Sequence, residues 1–350
     1  MAVSTVYRLV ISPCSSFITR LQSDTIMGHL AWMAAYRNKE DLNALLESCK
    51  NGNPPFIVSS GFPHDHLPVP VLKPLTHHEK RLLADEFFSR YGREKGLVML
   101  ATCLKKIKNQ KFLSMKDWKE LKNGLSPYKV AKLLLLEILC CDDHDKIETQ
   151  TKGPVDIIVV RTAIDRLTGM AADGLLYDHD ERYFAHDQSI DIWFRFFDEG
   201  MLEKVKIWLE DLSINGFGAN ASSGAGQFAV KSFEKAENVL PNAEGANGFM
   251  SLSHFSPSES DPADGWYSHI VKRGKLGGIF ASAGSGNPSF KANVWKYPVV
   301  MLVPGSVFKT EGVEFKEHYG RLIEDIHFLY KSVAHFAYSF PLQVKLENNG

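Results

Sequence analysis

One glycine-rich stretch decides how the chain is organised: Asn215-Gly216-Phe217-Gly218-Ala219-Asn220-Ala221-Ser222-Ser223-Gly224-Ala225-Gly226-Gln227-Phe228. Apolar residues upstream, over 201–212, recur at helical spacing, and residues 227–233 have the pattern of a strand. Because glycine tolerates positive φ and leaves the backbone bare, the N–H groups of this stretch can lie against an anionic backbone. The stretch therefore predicts a loop between a helix and a strand that contacts phosphate or sugar.

The order of elements around this loop excludes two common nucleotide-binding loops. Both require a strand, then the glycines, then a helix whose N-terminus faces the phosphate. Here the helix comes first, and the lysine of a Walker loop is missing because Gln227 follows Gly226. A flexible connection remains an equally simple explanation for a single glycine cluster.

The rest of the chain alternates strand and helix patterns. A strand near the N-terminus leads into a helix through Ile26, Leu30 and Met33, and prolines between 63 and 74 mark a boundary. Residues 76–141 have a wholly helical pattern, which we interpret as an insertion. Strand patterns follow, with a short helix expected around 319–326 and a last strand near 336–344. This order predicts two sequential α/β units, each a sheet covered on one face by helices.

Composition limits the possible partners. The 350 residues include 40 lysines and arginines against 41 acidic residues, so any nucleic-acid site must be local. The one basic run, between Lys105 and Lys132, is explained equally well as a solvated helical face. The five cysteines form no C-x-x-C pair, and no apolar run is long enough for a membrane span. We therefore expect a cytoplasmic protein with reduced thiols and no membrane partner.

Three stretches of the sequence resemble a known family. They are Ser23-Asp24-Thr25-Ile26-Met27-Gly28-His29-Leu30, then Arg161-Thr162-Ala163-Ile164-Asp165-Arg166-Leu167-Thr168-Gly169 with Gly174-Leu175-Leu176-Tyr177, and the glycine-rich stretch. In order, they resemble the S-D-T-L-F-G-A-L helix start, the I-D-R-x-T-G segment with its G-x-L-Y strand, and the S-S-G-x-G-R-F loop of one branch of the RAMP superfamily of CRISPR proteins. Shorter matches at 252–257, 304–308 and 338–342 extend the similarity over nearly the whole chain.

The resemblance is to the subunit of type III-A CRISPR effectors (the Csm complex) that caps the 5′ handle of the guide RNA. It implies an α/β (α+β) fold of two tandem ferredoxin-like (RRM-like) domains. We expect these at 1–188, with the helical insertion at about 76–141, and at 189–350, with the glycine-rich loop 215–228. The resemblance also implies no catalysis and no cofactor. Its implied partners are the guide RNA, the large polymerase-like subunit, the backbone RAMP subunits and, indirectly, the target RNA.

The resemblance places RNA-binding residues in three segments. In the first, Ser23 and Asp24 begin a helix, and capping of that helix is the simpler explanation for them. In the second, Arg161, Arg166 and Thr168 precede a strand, although ion pairs to nearby aspartates would also account for the two arginines. The third is the loop, with Gly216, Phe217, Gly218, Asn220, Ser222, Ser223, Gly224, Gly226 and Gln227; the family has an arginine in place of Gln227, so cationic contacts must come from elsewhere. Phe217 and Tyr177 are candidate stacking surfaces.

Two alternative functions depend on other side chains. His29, in the first helix, could act as the general acid or base of a RAMP-type nuclease that processes guide RNA, but no second acid or base lies beside it in sequence. Cys140 and His144, one helical turn apart, could hold a metal together with His64-Asp65-His66 or His77-His78. Their spacing is not that of a tetrahedral site, so we predict neither a metal nor a catalytic residue.

Overall fold

The computed structural model describes residues 4–142, 154–281, 294–310 and 314–347. The α-helices are α1 (Ser23–Arg37), α2 (Lys39–Lys50), α3 (His77–Tyr91), α4 (Arg93–Ile107), α5 (Met115–Leu121), α6 (Pro127–Asp142) and α7 (Leu202–Asn215). The strands are β1 (Thr5–Pro13), β2 (Phe56–Val58), β3 (Phe62–Pro63), β4 (His66–Pro68), β5 (Phe112–Ser114), β6 (Val155–Ile164), β7 (Ala171–Tyr183), β8 (Ile190–Phe196), β9 (Phe228–Lys235), β10 (Gly248–Ser251), β11 (Gly265–Trp266), β12 (His269–Lys272), β13 (Val299–Leu302), β14 (Val307–Lys309), β15 (Tyr319–Ile323), β16 (His335–Ser339) and β17 (Pro341–Val344). Short 3-10 turns cover Glu199–Met201, Ala221–Ser223 and Gly278–Ala281.

The first sheet has the strand order β2-β8-β1-β9, and all its pairs are antiparallel. Leu9, at the centre of β1, is opposite Ile192 on one side and Phe233 on the other. Helices α1 and α7 contact each other, and each also contacts the sheet. Along the chain, β1, α1, β2, β8, α7 and β9 follow the β-α-β-β-α-β order of a ferredoxin-like fold. The α/β class is therefore confirmed.

The first sheet does not end at the domain boundary expected at residue 188. Both β8 and β9 pair with β1, so the first unit continues to about residue 235 and includes the glycine-rich loop, which joins α7 to β9. The physical reason is that β1, at the start of the unit, pairs with strands near the end of the unit in sequence. Alternation along one segment carries no information about such distant partners.

The stretch predicted to be helical, 76–141, contains α3 to α6. Its start is fixed by a capping box, in which Thr76 Oγ1 accepts from the Glu79 N–H and Glu79 Oε2 accepts from the Thr76 N–H. A small core of its own includes Leu83, Phe87 and Leu100. One strand interrupts the helices, because β5 pairs with β4.

Strands β6 and β7 form a long hairpin that projects from the rest of the first unit. Its strands pair from Val155 with Tyr183 to Ile164 with Ala171. Most of its described side chains are exposed, including large apolar ones. At its base Phe17 and Arg182 exchange backbone hydrogen bonds of 2.9 Å in both directions, which attaches the hairpin to the segment after β1.

The second unit consists of strands. Its main sheet has the order β11-β14-β10-β17, and β12–β13 and β15–β16 form two separate pairs. Among the described residues from 236 onward there is no α-helix, so the helix expected around 319–326 was wrong. Residues 319–323 form β15, because they pair with β16 and because Tyr319 stacks on Phe249 with ring centroids 4.0 Å apart; these tertiary contacts hold the segment extended. The described part of this unit thus has a sheet without the helices of a second ferredoxin-like copy.

Candidate nucleic-acid interface

The glycine-rich loop is a built structure attached to the segment that follows β1. The N–H of Ala219 donates to Thr19 Oγ1 at 2.9 Å, and that of Gln227 donates to Ser15 Oγ at 2.8 Å. The Gly226 N–H donates to the carbonyl of Ser16 at 2.8 Å. These three hydrogen bonds were not predicted, because the residues after β1 have only the sequence pattern of a polar loop. The contacts fix the loop in place, so the interpretation as a flexible connection does not hold.

Three of the four loop glycines are required by packing. A Cβ on Gly226 would lie 2.0 Å from the Phe217 carbonyl oxygen, and one on Gly218 would lie 2.3 Å from Thr19 Cβ. Gly216 is equally confined, by the carbonyl of Ala225 at 2.7 Å. Gly224 differs, because it has φ +91° and nothing within 4 Å of a built Cβ. Gly224 is thus the glycine of the loop that leaves open space for another molecule.

The outer arc of the loop offers free donors to solvent. Within the described residues, the N–H groups of Asn220, Ala221 and Ser222 make no hydrogen bond of good geometry. Asn220 has φ +58° and Gly224 has φ +91°, and the side chains of Ser222 and Ser223 between them are exposed. Consecutive N–H groups at such a bend form a concave site with positive potential. The arc therefore suits a phosphate or a ribose hydroxyl.

Phe217 does not provide the stacking surface expected for it. It is 1% exposed, and its ring lies 4.6 Å from the His29 ring and 6.2 Å from Phe17. Burial of this apolar ring stabilises the loop, and a buried ring cannot stack on a base. Tyr177, on β7, keeps about half of its surface exposed and remains a candidate.

His29 supports the loop from below. Its Nε2 accepts the Gly218 N–H at 3.2 Å, so the ring proton is on Nδ1. Burial lowers the pKa of His29 to about 4, because a charged imidazole would lose its hydration there. At neutral pH the side chain is an uncharged acceptor. The bond from Gly218 and the packing against Phe217 therefore give His29 a role in supporting the loop.

Ser23 and Asp24 are buried at 2% and 5% exposure, between the first unit and the second. Ser23 Oγ accepts from the His254 N–H at 2.8 Å and donates to the His254 carbonyl at 3.2 Å. Asp24 forms ion pairs with Lys272 and, at 3.1 Å, with His335. The structure thus uses these residues to join the two units, and neither caps α1.

The second predicted segment lies in the β6–β7 hairpin. Arg161 donates to Glu181 at 2.5 Å. Glu181 also accepts from Ser16 Oγ at 2.7 Å, and the Ser16 carbonyl accepts from the Gly226 N–H of the loop. Arg161 is therefore connected to the glycine-rich loop through Glu181 and Ser16. Arg166 and Thr168 are in the exposed hairpin turn, where Thr168 Oγ1 accepts from the Met170 N–H at 3.3 Å. Arg161 is therefore brought towards the loop, whereas Arg166 and Thr168 form the far tip of the hairpin.

The possible metal ligands resolve into an ion-pair cluster. His64, Asp65 and Asp191 converge within 4.8 Å, but Arg8 Nη2 lies 2.6 Å from Asp65 and 2.5 Å from Asp191. The guanidinium already supplies the cation that the carboxylates require. His77 and His78 begin α3 and are exposed, and the Cys140 and His144 side chains lie outside the described residues.

With this geometry established, the whole chain can be compared with solved structures. A chain of a Csm1-Csm4 cassette in complex with cA4 matches with a TM-score of 0.55 at 16% identity, covering 98% of this chain and 100% of the other. A chain of a Csm3-Csm4 subcomplex of the type III-A CRISPR-Cas interference complex matches with a TM-score of 0.56 at 14% identity, over 97% and 99%. The matching chains are Csm4 subunits.

This chain has the fold of Csm4. A cassette structure in complex with pppApA agrees, with a TM-score of 0.53 at 15% identity over 99% and 100% of the two chains. No protein-family model and no curated protein matches the sequence. Among the described residues, no helix of this Csm4-like fold combines the length and the apolar character needed to cross a membrane.

Two histidines, the half-buried His29 and the buried His254, predict that the Csm4-like fold loses stability in mild acid. Burial lowers the pKa of both His29 and His254 to about 4 from the ordinary 6.5. Their contribution is complete above pH 6.5, where the unfolded chain is also neutral, and is lost as the pH falls from 6.5 towards 4. Between about pH 7.5 and about pH 5 we expect a loss of roughly 2 kcal/mol per histidine.

Urea unfolding at the two pH values measures this loss. His29→Gln keeps an acceptor for the Gly218 N–H without a titrating group, so its unfolding free energy should fall less with pH than that of the parent chain. An unfolding free energy that is the same at both pH values in the parent chain would contradict the prediction.

Proposed function

We propose that this chain is the Csm4-like subunit of a type III CRISPR effector, and that it holds the 5′ handle of the guide RNA without catalysing a reaction. The proposal rests mainly on the outer arc of the glycine-rich loop. There the N–H groups of residues 220–222 make no hydrogen bond to the described residues, and the side chains of Ser222 and Ser223 are exposed, with the Ser223 hydroxyl donating to the Asn220 carbonyl at 3.0 Å. A single strand of RNA with its phosphates and 2′-hydroxyls is complementary to such a surface.

The surroundings of the arc supply the charge that the loop lacks. The family's arginine is Gln227 here, and its side chain is exposed without a charge to offer. Arg161, held by Glu181 in the network that includes Ser16, still exposes 39% of its side chain. A partly exposed guanidinium can contact a phosphate while it keeps its ion pair. Arg161 is thus an arginine linked to the loop through Glu181 and Ser16.

The same geometry explains why we assign the chain a binding function. The Nε2 of His29 is occupied by the Gly218 N–H. General acid or base catalysis requires a titrating group within hydrogen-bond reach of the reacting atom and a pKa near the working pH. A pKa of about 4 does not meet the second requirement for a general acid at neutral pH.

The placement of the chain in a larger assembly follows from the proposal. As a Csm4-like subunit it would lie beside the large polymerase-like subunit and the backbone RAMP subunits, with the target RNA reached only through the guide. The structures of similar fold are of a Csm1-Csm4 cassette and a Csm3-Csm4 subcomplex, which is the kind of assembly expected. The expected location is the cytoplasm, where guide RNA and effector assemble.

A charge placed on the arc tests the binding function. Ser222→Asp with Ser223→Asp puts two carboxylates beside the free N–H groups, where they occupy the donors and repel phosphate. We expect the affinity for guide RNA to fall at least about tenfold, or ~1.4 kcal/mol. Filter binding would compare a guide RNA that carries its 5′ handle with the same RNA from which the handle has been removed.

Ser89→Asp is the control for added negative charge, with one carboxylate in place of two, because Ser89 is an exposed serine of α3 in the inserted lobe. The control should bind the intact guide as the parent chain does. Equal affinity of the parent and the doubly substituted loop variant for the handle-bearing RNA would overturn the proposed function.

A further inference from the structure

A second surface with the chemistry of RNA binding lies in the β12–β13 pair of the second unit. We define the cationic ribbon as β12, β13 and the flanking residues 273–275 and 295–298. From Gly265 to Thr310 the sequence contains no aspartate or glutamate, although acidic residues slightly outnumber basic ones in the whole chain. The cations on the ribbon are Lys272, Arg273, Lys275 and Lys296.

The two faces of the ribbon have different roles. On the inner face, Lys272 Nζ contacts Asp24 and donates to Gln22 Oε1 and Thr25 Oγ1, each at 2.7 Å. These contacts attach the ribbon to the start of α1. The outer face has no such partner element among the described residues, and Val271 and Val300 are directly opposite each other on it and more than half exposed.

The outer face combines aromatic rings with cations. Trp295 and Lys275 form a bridge pair, with Lys275 Nζ 4.8 Å from the indole centroid, and Arg273 lies 5.9 Å from the same ring. Tyr297, two residues further along the same strand direction, is about half exposed. Alternation along an extended chain brings these residues to one face. Rings held beside cations are the arrangement by which proteins bind unpaired bases and the phosphates that link them.

Lys296 adds a second cation close to a single carboxylate, that of Asp24. It lies on the inner face near Asp24 and Lys272, and its ammonium makes no ion pair or hydrogen bond within the ranges that the structure describes. Asp24 is already paired with Lys272 and His335. The ribbon therefore keeps a positive charge on both of its faces, which an anionic ligand would relieve.

We propose that the outer face of the cationic ribbon binds single-stranded RNA, with Trp295 stacking on a base and Arg273 and Lys275 pairing with its phosphates. This inference deepens the proposed function, on which it rests for the identity of the ligand. The ribbon is a separate contact from the glycine-rich loop, because it belongs to the second unit and the loop to the first. Together they would fix a strand at two points.

Binding of single-stranded RNA by the full-length chain tests the ribbon. The probe is an unpaired RNA of about 20 nucleotides, compared with a fully paired duplex of the same length. Trp295→Ala should weaken binding of the single strand roughly 5- to 100-fold, the range for losing one stacked base, and should change duplex binding much less. Arg273→Glu with Lys275→Glu should weaken binding and reduce its dependence on salt concentration.

The matched control is Lys105→Glu with Lys119→Glu, which makes the same change of charge on exposed residues of α4 and α5. An equal loss in this control would show an effect of bulk charge and would overturn the inference. So would unchanged binding in both ribbon variants. Circular dichroism of each variant checks that it folds; all five substituted positions are exposed.

The loop variant Ser222→Asp with Ser223→Asp, measured in the same assay, separates the two proposals. If the loop variant loses binding and the ribbon variants do not, the inference fails and the proposed function stands. If only the ribbon variants lose binding, the ribbon is supported and the assignment to the loop fails. If no variant changes binding, both fail.

Discussion

Replacing Asp24 by alanine is expected to destabilise the fold by about 3–5 kcal/mol, the usual cost of removing one partner from a buried ion pair. Asp24 is the carboxylate that neutralises Lys272 and accepts a hydrogen bond from His335 between the two units. The hydrogen bond from His335 and the charge of Lys272 hold the pKa of Asp24 well below its usual range, against the opposing effect of burial. Without the carboxylate, Lys272 and Lys296 would face each other uncompensated.

The matched control for this variant is Asp264→Ala. Asp264 also pairs with a lysine, Lys309, at 2.9 Å, but 74% of its side chain is exposed. An exposed pair contributes at most about 1 kcal/mol, so this variant should unfold at nearly the same urea concentration as the parent chain. Equal effects of the two substitutions on the unfolding free energy would show that the buried pair does not join the units.

Replacing Gly226 by alanine is expected to cost roughly 3 kcal/mol or more. The added Cβ would lie 2.0 Å from the carbonyl oxygen and 2.7 Å from the nitrogen of Phe217, and the residue has φ +72°. A backbone atom at that distance cannot give way as a flexible side chain can, so the closing hydrogen bond from the Phe217 N–H to the Gly226 carbonyl would break. Urea unfolding would measure the loss.

Gly224→Ala is the partner experiment. It has the same strained sign of φ, but no atom lies within 4 Å of its built Cβ. The cost should therefore be about 1 kcal/mol, from backbone strain alone. If alanine at the two positions changed the unfolding free energy equally, the packing of the loop described above would be wrong. The comparison also shows that a Gly226 variant would report on folding and could not isolate RNA contact.

The sequence predicted the parts of the fold that depend on neighbouring residues. The helix before the loop, the helical stretch from 76 and the strands that became β6, β8 and β9 all follow from local periodicity. Which strands pair was not available from periodicity, and the boundary at 188 was misplaced for that reason. The helix predicted at 319–326 was wrong because the packing of Tyr319 on Phe249, and not the local sequence pattern, holds the segment extended.

The candidate site was predicted unevenly for similar reasons. The loop residues were found because glycines and small side chains are conspicuous in sequence. That Phe217 and Asp24 would be buried depended on tertiary contacts, with His29 in one case and Lys272 in the other. The cationic ribbon was missed because its charges are few and its two strands are separated by more than twenty residues, although the absence of acidic residues between Asp264 and Glu311 was visible.

The central claim is that the exposed backbone between Ala219 and Gly224 touches the guide RNA. Photo-crosslinking of the assembled ribonucleoprotein, followed by digestion and mass spectrometry, measures this contact directly. We expect peptides that contain residues 219–224 to carry nucleotides of the 5′ handle. Handle nucleotides linked only to other segments or other subunits, with the loop peptide recovered free of RNA, would contradict the account.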